Sequence, residues 1–316
     1  MAGLNLEEIR VFVGCPDQNL RTTTLTVLRN CGFRNVEYGQ TIEAVRTEMT
    51  MHPPDLLFCE TKFPDGDPGS LIHDIRHHEI GSNPFLAVVM MTWEPSVDLV
   101  SKIINSGADD LLVKPLSAKQ VIQRVGALIK NRKGFMVTSD YIGPDRRRDK
   151  ERPPEEDNEN QIKPIEVPNA LRAKALGEAD AAEIQGSIDA ALKAINSRKL
   201  EGHAVKVSEL VAHILPAYRQ GQVDNTVRQK LHNLVYVAED TARRLVDTDF
   251  SHVADLCNSL VQVSNDIYAN WKEPNPKDLK LLEPIAKAIE TAFTGSPEQA
   301  EMARQITDTV SGRRPG

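Results

Sequence analysis

Pro54-Asp55-Leu56-Leu57-Phe58-Cys59-Glu60 is an apolar run that ends in a carboxylate, and Thr61-Lys62-Phe63-Pro64-Asp65-Gly66-Asp67 follows it. A parallel strand covered by helices on both faces reads this way, because none of its positions has to meet water. The carboxyl end of such a strand is where open α/β sheets hold their chemistry, so Glu60 becomes the first candidate functional residue. The Pro-Asp-Gly-Asp run behind it is turn chemistry, and Asp65 and Asp67 read as turn formers rather than metal ligands.

Working outward, similar apolar runs occur at Ile9 to Val13, Asn35 to Tyr38, Phe85 to Thr92 and Asp110 to Val113. Helix-period stretches separate them, near Asn19 to Cys31, Ile42 to Met49, Gly69 to His77, Ser96 to Asn105 and Ala118 to Lys130. Regular β/α alternation with right-handed crossovers predicts a flavodoxin-like, five-stranded, doubly wound parallel sheet over residues 1–135.

Beyond this the composition changes. Residues 136–168 are poor in large hydrophobics and rich in Pro, Glu, Asp and Arg, which predicts a charged linker. Phe135-Met136-Val137 and Tyr141-Ile142-Gly143-Pro144 are the parts of it able to pack back on the first domain. Residues 169–316 carry apolar positions at helical spacing, with breaks expected at Gly202, Gly221, 247–249, 274–276 and 295–297. Asp224 and Ser251 read as N-caps, and the segment reads as an all-α bundle of four or so helices.

A chain of 316 residues with 40% hydrophobic content can bury two cores. Its net charge of -7 argues against general nucleic-acid binding. Cys15, Cys31, Cys59 and Cys257 show no metal spacing and read as buried thiols of a reducing cytoplasm. No stretch reads as a membrane span or a secretory signal, and the expected location is cytoplasmic.

Several motifs stand at fixed intervals: the run before Glu60, Pro64 with Asp65-Gly66, Thr92 closing a strand, Gly107-Ala108-Asp109-Asp110, and Lys114-Pro115. Over residues 9 to 130 this pattern resembles the receiver domains of bacterial two-component response regulators. The resemblance implies an aspartate that accepts a phosphoryl group, a divalent cation held by an acidic pair after the first strand, and a hydroxyl and an ammonium that bind the phosphate. Thr92 and Lys114 match the last two roles. Cys15-Pro16 stands at the acidic pair, with Asp17 one position beyond it, and Glu60 stands at the phosphoacceptor. Leu111 replaces the aromatic switch residue.

These departures define a vestigial pocket of Cys15, Pro16, Asp17, Thr92, Leu111 and Lys114 around Glu60, with no metal and no cofactor expected. Glu60 reaches one carbon further than aspartate and is placed to pair with Lys114 or Thr92. The alternative is a working phosphorelay regulator in which Asp17 and Glu60 keep residual phosphoacceptor activity. The Thr92, Leu111 and Lys114 face is the partner surface that the resemblance implies.

The helical half shows no helix-turn-helix, phosphate loop or enzyme signature, so neither DNA binding nor catalysis is expected. Ala212-His213-Ile214-Leu215 is faintly similar to phosphotransfer bundles, but Pro216 stands where those carry lysine, and His213 reads as a surface histidine. One amphipathic helix can present a partner groove or a homodimer seam. In the linker, Arg146-Arg147-Arg148 is either a solvated charge run or a clamp for phosphate, an acidic partner or a cyclic dinucleotide. The sequence therefore predicts a cytoplasmic signalling adaptor: a degenerate receiver, a charged linker and a helical module that binds proteins.

Overall fold

The protein is described by a computed structural model over residues 4–138, 140–146, 163–245 and 251–294. It divides into two compact units, Met1–Lys193 and Ala194–Gly316.

In the first unit the strands β1 (Arg10–Gly14), β2 (Asn35–Gly39), β3 (Leu56–Glu60), β4 (Ala87–Thr92) and β5 (Asp110–Val113) alternate with helices. The helices are α1 (Gln18–Asn30), α2 (Ile42–Met51), α3 (Pro68–Arg76), α4 (Val97–Ser106) and α5 (Ala118–Lys130). The strands form one parallel sheet in the order β2-β1-β3-β4-β5. This is the doubly wound arrangement, with its switch point between β1 and β3. Each predicted strand and helix is present, and most ends shift by one or two residues.

Local chemistry sets the helix starts. Asp17, Thr41, Asp67, Ser96 and Ser117 each accept a first-turn N–H through the side chain. Asp65 adds a bond to Ile42 N, so both loop aspartates serve backbone capping. Alternation along the strands then fills both faces. Val11, Val13, Leu56 and Phe58 pack toward α1 and α5, while Phe12, Leu57 and Cys59 pack toward α2, α3 and α4. Continuing that alternation, Glu60 ends up on the same side as Phe58 and Cys15.

The described parts of the predicted linker belong to this unit. β6 (Phe135–Val137) and β7 (Ile142–Pro144) form an antiparallel hairpin, and Ile165 pairs with Phe135 on the other side of β6. α6 (Ala170–Leu176) also packs on the first unit, which corrects the boundary placed at 168/169. The reason is specific burial: Leu171 and Ala175 enter the core beside α5, Asn169 donates to Leu128 O, and Lys174 pairs with buried Asp55. Seven residues are too few for a composition window to separate from the bundle. Residues 147–162, including Arg147 and Arg148, lie outside the described residues.

The second unit is built from the part of α7 (Ala181–Arg219) beyond residue 193, with α8 (Asn225–Arg244), α9 (Ser251–Ala269) and α10 (Pro276–Thr294). Leu231, Leu234, Leu256, Leu260 and Ile285 form its apolar centre. Asp224 caps α8 as predicted, through bonds to Thr226 N and Val227 N. Gly202 does not break α7; one glycine costs only about 1 kcal/mol, and the buried neighbours Leu200, Ala204 and Val207 hold the helix on the core. A buried polar network lies among these helices. Asp240 accepts from Arg243 and Arg244 at 2.7 and 3.0 Å and has Lys199 Nζ and His203 Nε2 at 3.7 and 3.6 Å.

Candidate functional site

The carboxyl ends of β1, β3, β4 and β5 open into one cleft of about 660 Å³. Glu60 closes β3, Thr92 closes β4, Lys114 follows β5, and Cys15 follows β1, so sheet order alone brings these four to one edge. Lys114 N donates to Thr92 O, which keeps the end of β5 in register with β4.

Glu60 and Lys114 form a closed pair. The ammonium lies 2.7 Å from Oε1 and 2.7 Å from Oε2, and both residues are only 7% exposed. The indole of Trp93 sits over the same ammonium, 5.0 Å from Nζ to the ring centre. An ammonium shared between a carboxylate and a π face is well compensated for the water it has lost. Burial pushes the Glu60 carboxyl above its ordinary value, against the opposing pull of Lys114.

The rest of the predicted pocket has other duties. Cys15 Sγ lies 3.9 Å from Glu60 Oε1 and 3.4 Å from Asp17 O. Burial, reinforced by the charge of Glu60, pushes its thiol up to about 11, so it is a neutral packing group. Cys59, buried on the opposite sheet face, is raised for the same first reason. Asp17 Oδ1 caps α1 through Leu20 N at 2.9 Å. Thr92 does not pair with Glu60; its hydroxyl donates to Glu94 O at 3.5 Å. Leu111 is not in this cleft at all. It lines a second one, of about 300 Å³, with Val100, Tyr141 and Arg146.

Two residues that sequence reasoning passed over complete the site. Arg21 on α1 is buried, donates to Cys15 O at 2.9 Å and Pro16 O at 3.3 Å, and stacks over Tyr38. It stiffens the loop that in the resembling family carries the acidic pair. Trp93 directly follows Thr92, and its position beside a strand end was the available signal.

The residues present do not fit the divalent cation implied by the resemblance. Magnesium needs hard oxygen ligands in near-octahedral array. Here Cys15 and Pro16 offer no side-chain oxygen, Asp17 Oδ1 is used as a cap, and both Glu60 oxygens are held by Lys114. Among the described residues no group of three or more His, Cys, Asp or Glu is placed to hold a metal ion.

Of the predicted arginine clamp, only Arg146 is described. It lies 3.3 Å over the Tyr141 ring and donates to Asn105 Oδ1 at 2.8 Å, so its guanidinium is engaged within the fold. In the second unit, His213 is exposed and its Nδ1 bonds Glu209 O at 2.7 Å. No described helix is long and apolar enough to cross a membrane.

Comparison with known proteins finds a family match within the first unit. Residues 16–126 match the response regulator receiver domain family. The chain is similar to the two-component response regulator-like protein APRR7 of Arabidopsis thaliana, with 31% identity over 120 residues, 37% of this chain and 16% of that protein. It is also similar to the virulence transcriptional regulatory protein PhoP of Salmonella typhi, with 30% identity over 136 residues, 43% of this chain and 58% of that protein. The chain thus spans only part of the length of these relatives. Among solved structures, the chemotaxis protein CheY4 of Vibrio cholerae aligns at a TM-score of 0.34 and 17% identity, over 37% of this chain and 96% of that one.

Proposed function

We infer that the first unit is a pseudo-receiver: a signalling module in which the Glu60–Lys114 ion pair stands where a phosphorylated aspartate and its lysine partner would stand. The observation that carries this reading is the 2.7 Å contact of one ammonium with both carboxylate oxygens, in a cleft whose acidic pair is replaced by Cys15-Pro16. An attacking carboxylate needs a free lone pair and a cation to screen the incoming phosphoryl oxygens. Glu60 has its oxygens engaged, and the donor set for the cation is missing. The chain then works as a cytoplasmic adaptor without enzymatic activity, presenting surfaces to protein partners of a two-component pathway.

The test is incubation of the full chain with Mg²⁺ and acetyl phosphate, followed by intact-mass and peptide mapping. The expected result is no covalent phosphoryl group. One phosphoryl group on Glu60 or Asp17 would overturn the reading in favour of residual phosphotransfer. Calorimetric titration of Mg²⁺ into the wild type and Asp17→Ala separates the two further, since only the phosphotransfer reading expects binding that Asp17→Ala removes.

A further inference from the structure

α4 has little core anchorage of its own: of its ten residues only Ile103 is fully buried. Its N-terminal end borders the Glu60 cleft through Ser96 and Leu99. Its C-terminal end meets the β6–β7 hairpin, which lies outside the stretch matching the receiver family. We propose that this hairpin is a clamp on α4, which restrains the helix where it borders the Glu60 cleft.

Three sets of contacts make the clamp. The first is backbone against backbone. A Cβ at Gly143 would lie 2.8 Å from Gly107 Cα and 2.6 Å from the Tyr141 hydroxyl, and a Cβ at Gly107 would lie 2.9 Å from Ile142 O. Gly107 ends α4 in the left-handed region, with φ +94, so two glycines are needed where the hairpin crosses the helix end.

The second set is side chain on helix. Arg146 bonds Asn105 of α4 while stacked on Tyr141, and the Tyr141 hydroxyl donates to Pro144 O at 2.8 Å, which stiffens the hairpin itself. The third fixes the hairpin base. Phe135 packs against the guanidinium groups of Arg76 and Arg132, 5.1 and 5.2 Å from its ring centre. Both arginines converge on Asp109, which also accepts Val88 N of β4, and Arg76 Nε donates to Gly107 O. The hairpin, the end of α4 and the start of β5 are therefore one hydrogen-bonded block.

A ten-residue helix is a rod about 15 Å long, so holding one end restrains the other where it lines the cleft. This arrangement stands whether or not Glu60 accepts a phosphoryl group.

The experiment is hydrogen exchange by mass spectrometry on the full chain, comparing wild type, Gly143→Ala and Arg146→Ala. Gly143→Ala cannot seat the hairpin against Gly107, and Arg146→Ala removes one tie while leaving the backbone untouched. The expected result is faster exchange of amides 100–106 in both variants, on the order of tenfold for Gly143→Ala and less for Arg146→Ala, with amides of α1 unchanged. Unchanged exchange in α4 would overturn the clamp, whether the hairpin amides of Thr138 and Asp145 lose protection or keep it. A matching rise in α1 would overturn it too, by showing general loss of stability in place of a local restraint.

Discussion

Lys114 Nζ is equidistant, at 2.7 Å, from the two carboxylate oxygens of Glu60, although the residues are 54 positions apart in the chain. The pair ties the end of β3 to the end of β5 across β4. Its charges are largely removed from water, so each residue depends on the other.

Removing one partner should therefore cost much more than removing both. Lys114→Met leaves the Glu60 carboxylate buried without its cation and is expected to destabilise the first unit by about 3 kcal/mol. The double variant Glu60→Leu, Lys114→Met should lie within about 1 kcal/mol of wild type. Urea unfolding followed by Trp93 fluorescence, in a Trp271→Phe background, measures both. Equal losses for the single and double variants would contradict the pairing.

The two units should respond to acid with opposite signs. Burial raises Glu60 above 4.5 against the pull of Lys114. Between 4.5 and its folded value the native state holds the extra proton, so this group's contribution to stability falls as pH rises through that window. Asp240 is the reverse. Burial pushes it up, but the Arg244 guanidinium, with Lys199 and His203, outweighs burial and holds it well below 3.8. Its contribution is complete above 3.8 and is lost as pH falls toward the folded value. Unfolding between pH 7 and pH 3, read from Trp93 for the first unit and Trp271 for the second, should show the second unit weakening below pH 4. Asp240→Asn should remove that acid sensitivity, and Glu60→Gln should flatten the opposite trend in the first.

Leu171 should behave as a core residue of the first unit. Leu171→Ala is expected to cost about 3 kcal/mol in the Trp93 transition and to leave the Trp271 transition unmoved. A loss confined to the Trp271 transition would place α6 with the bundle.

On the pseudo-receiver reading, supplying an acidic pair and an aspartate should confer phosphotransfer, because Thr92 and Lys114 already line the cleft. The triple variant Cys15→Asp, Pro16→Asp, Glu60→Asp is expected to bind Mg²⁺ by calorimetry and to gain one phosphoryl group from acetyl phosphate by intact mass. Failure of a folded triple variant to do either would mean that the Arg21-held loop, as well as the residue types, blocks the cation.

Much of this was legible in the chain. β1, β3, β4 and β5 could be read because each is a short, mostly apolar run bounded by caps and turns, and local chemistry decides both. Glu60 could be picked out because it closes a strand of an open α/β sheet, and Lys114 through the resemblance to receiver domains. Thr92 and Leu111 were harder. Each was assigned to the pocket through the resemblance to receiver domains; Thr92 does line the cleft, with its hydroxyl on Glu94 O in place of Glu60, whereas Leu111 lines the second cleft beside the hairpin. Rotamer choice and strand-face geometry settle such outcomes, and neither is written in spacing. Arg146 read as part of a solvated charge run or a clamp because no linear pattern announces that a tyrosine five residues back and an asparagine on α4 will take its guanidinium.

By itself, then, the sequence determined the alternation of β and α elements, the helix caps and the helical character of the second half, since each depends on neighbours within a few residues. Tertiary structure alone decided that Glu60 is closed by Lys114, that the β6 and β7 strands and α6 belong to the first unit, and that Asp240 gathers two arginines, a lysine and His203. These are contacts between distant segments, and their energies come from desolvation and packing that exist only once the chain has folded.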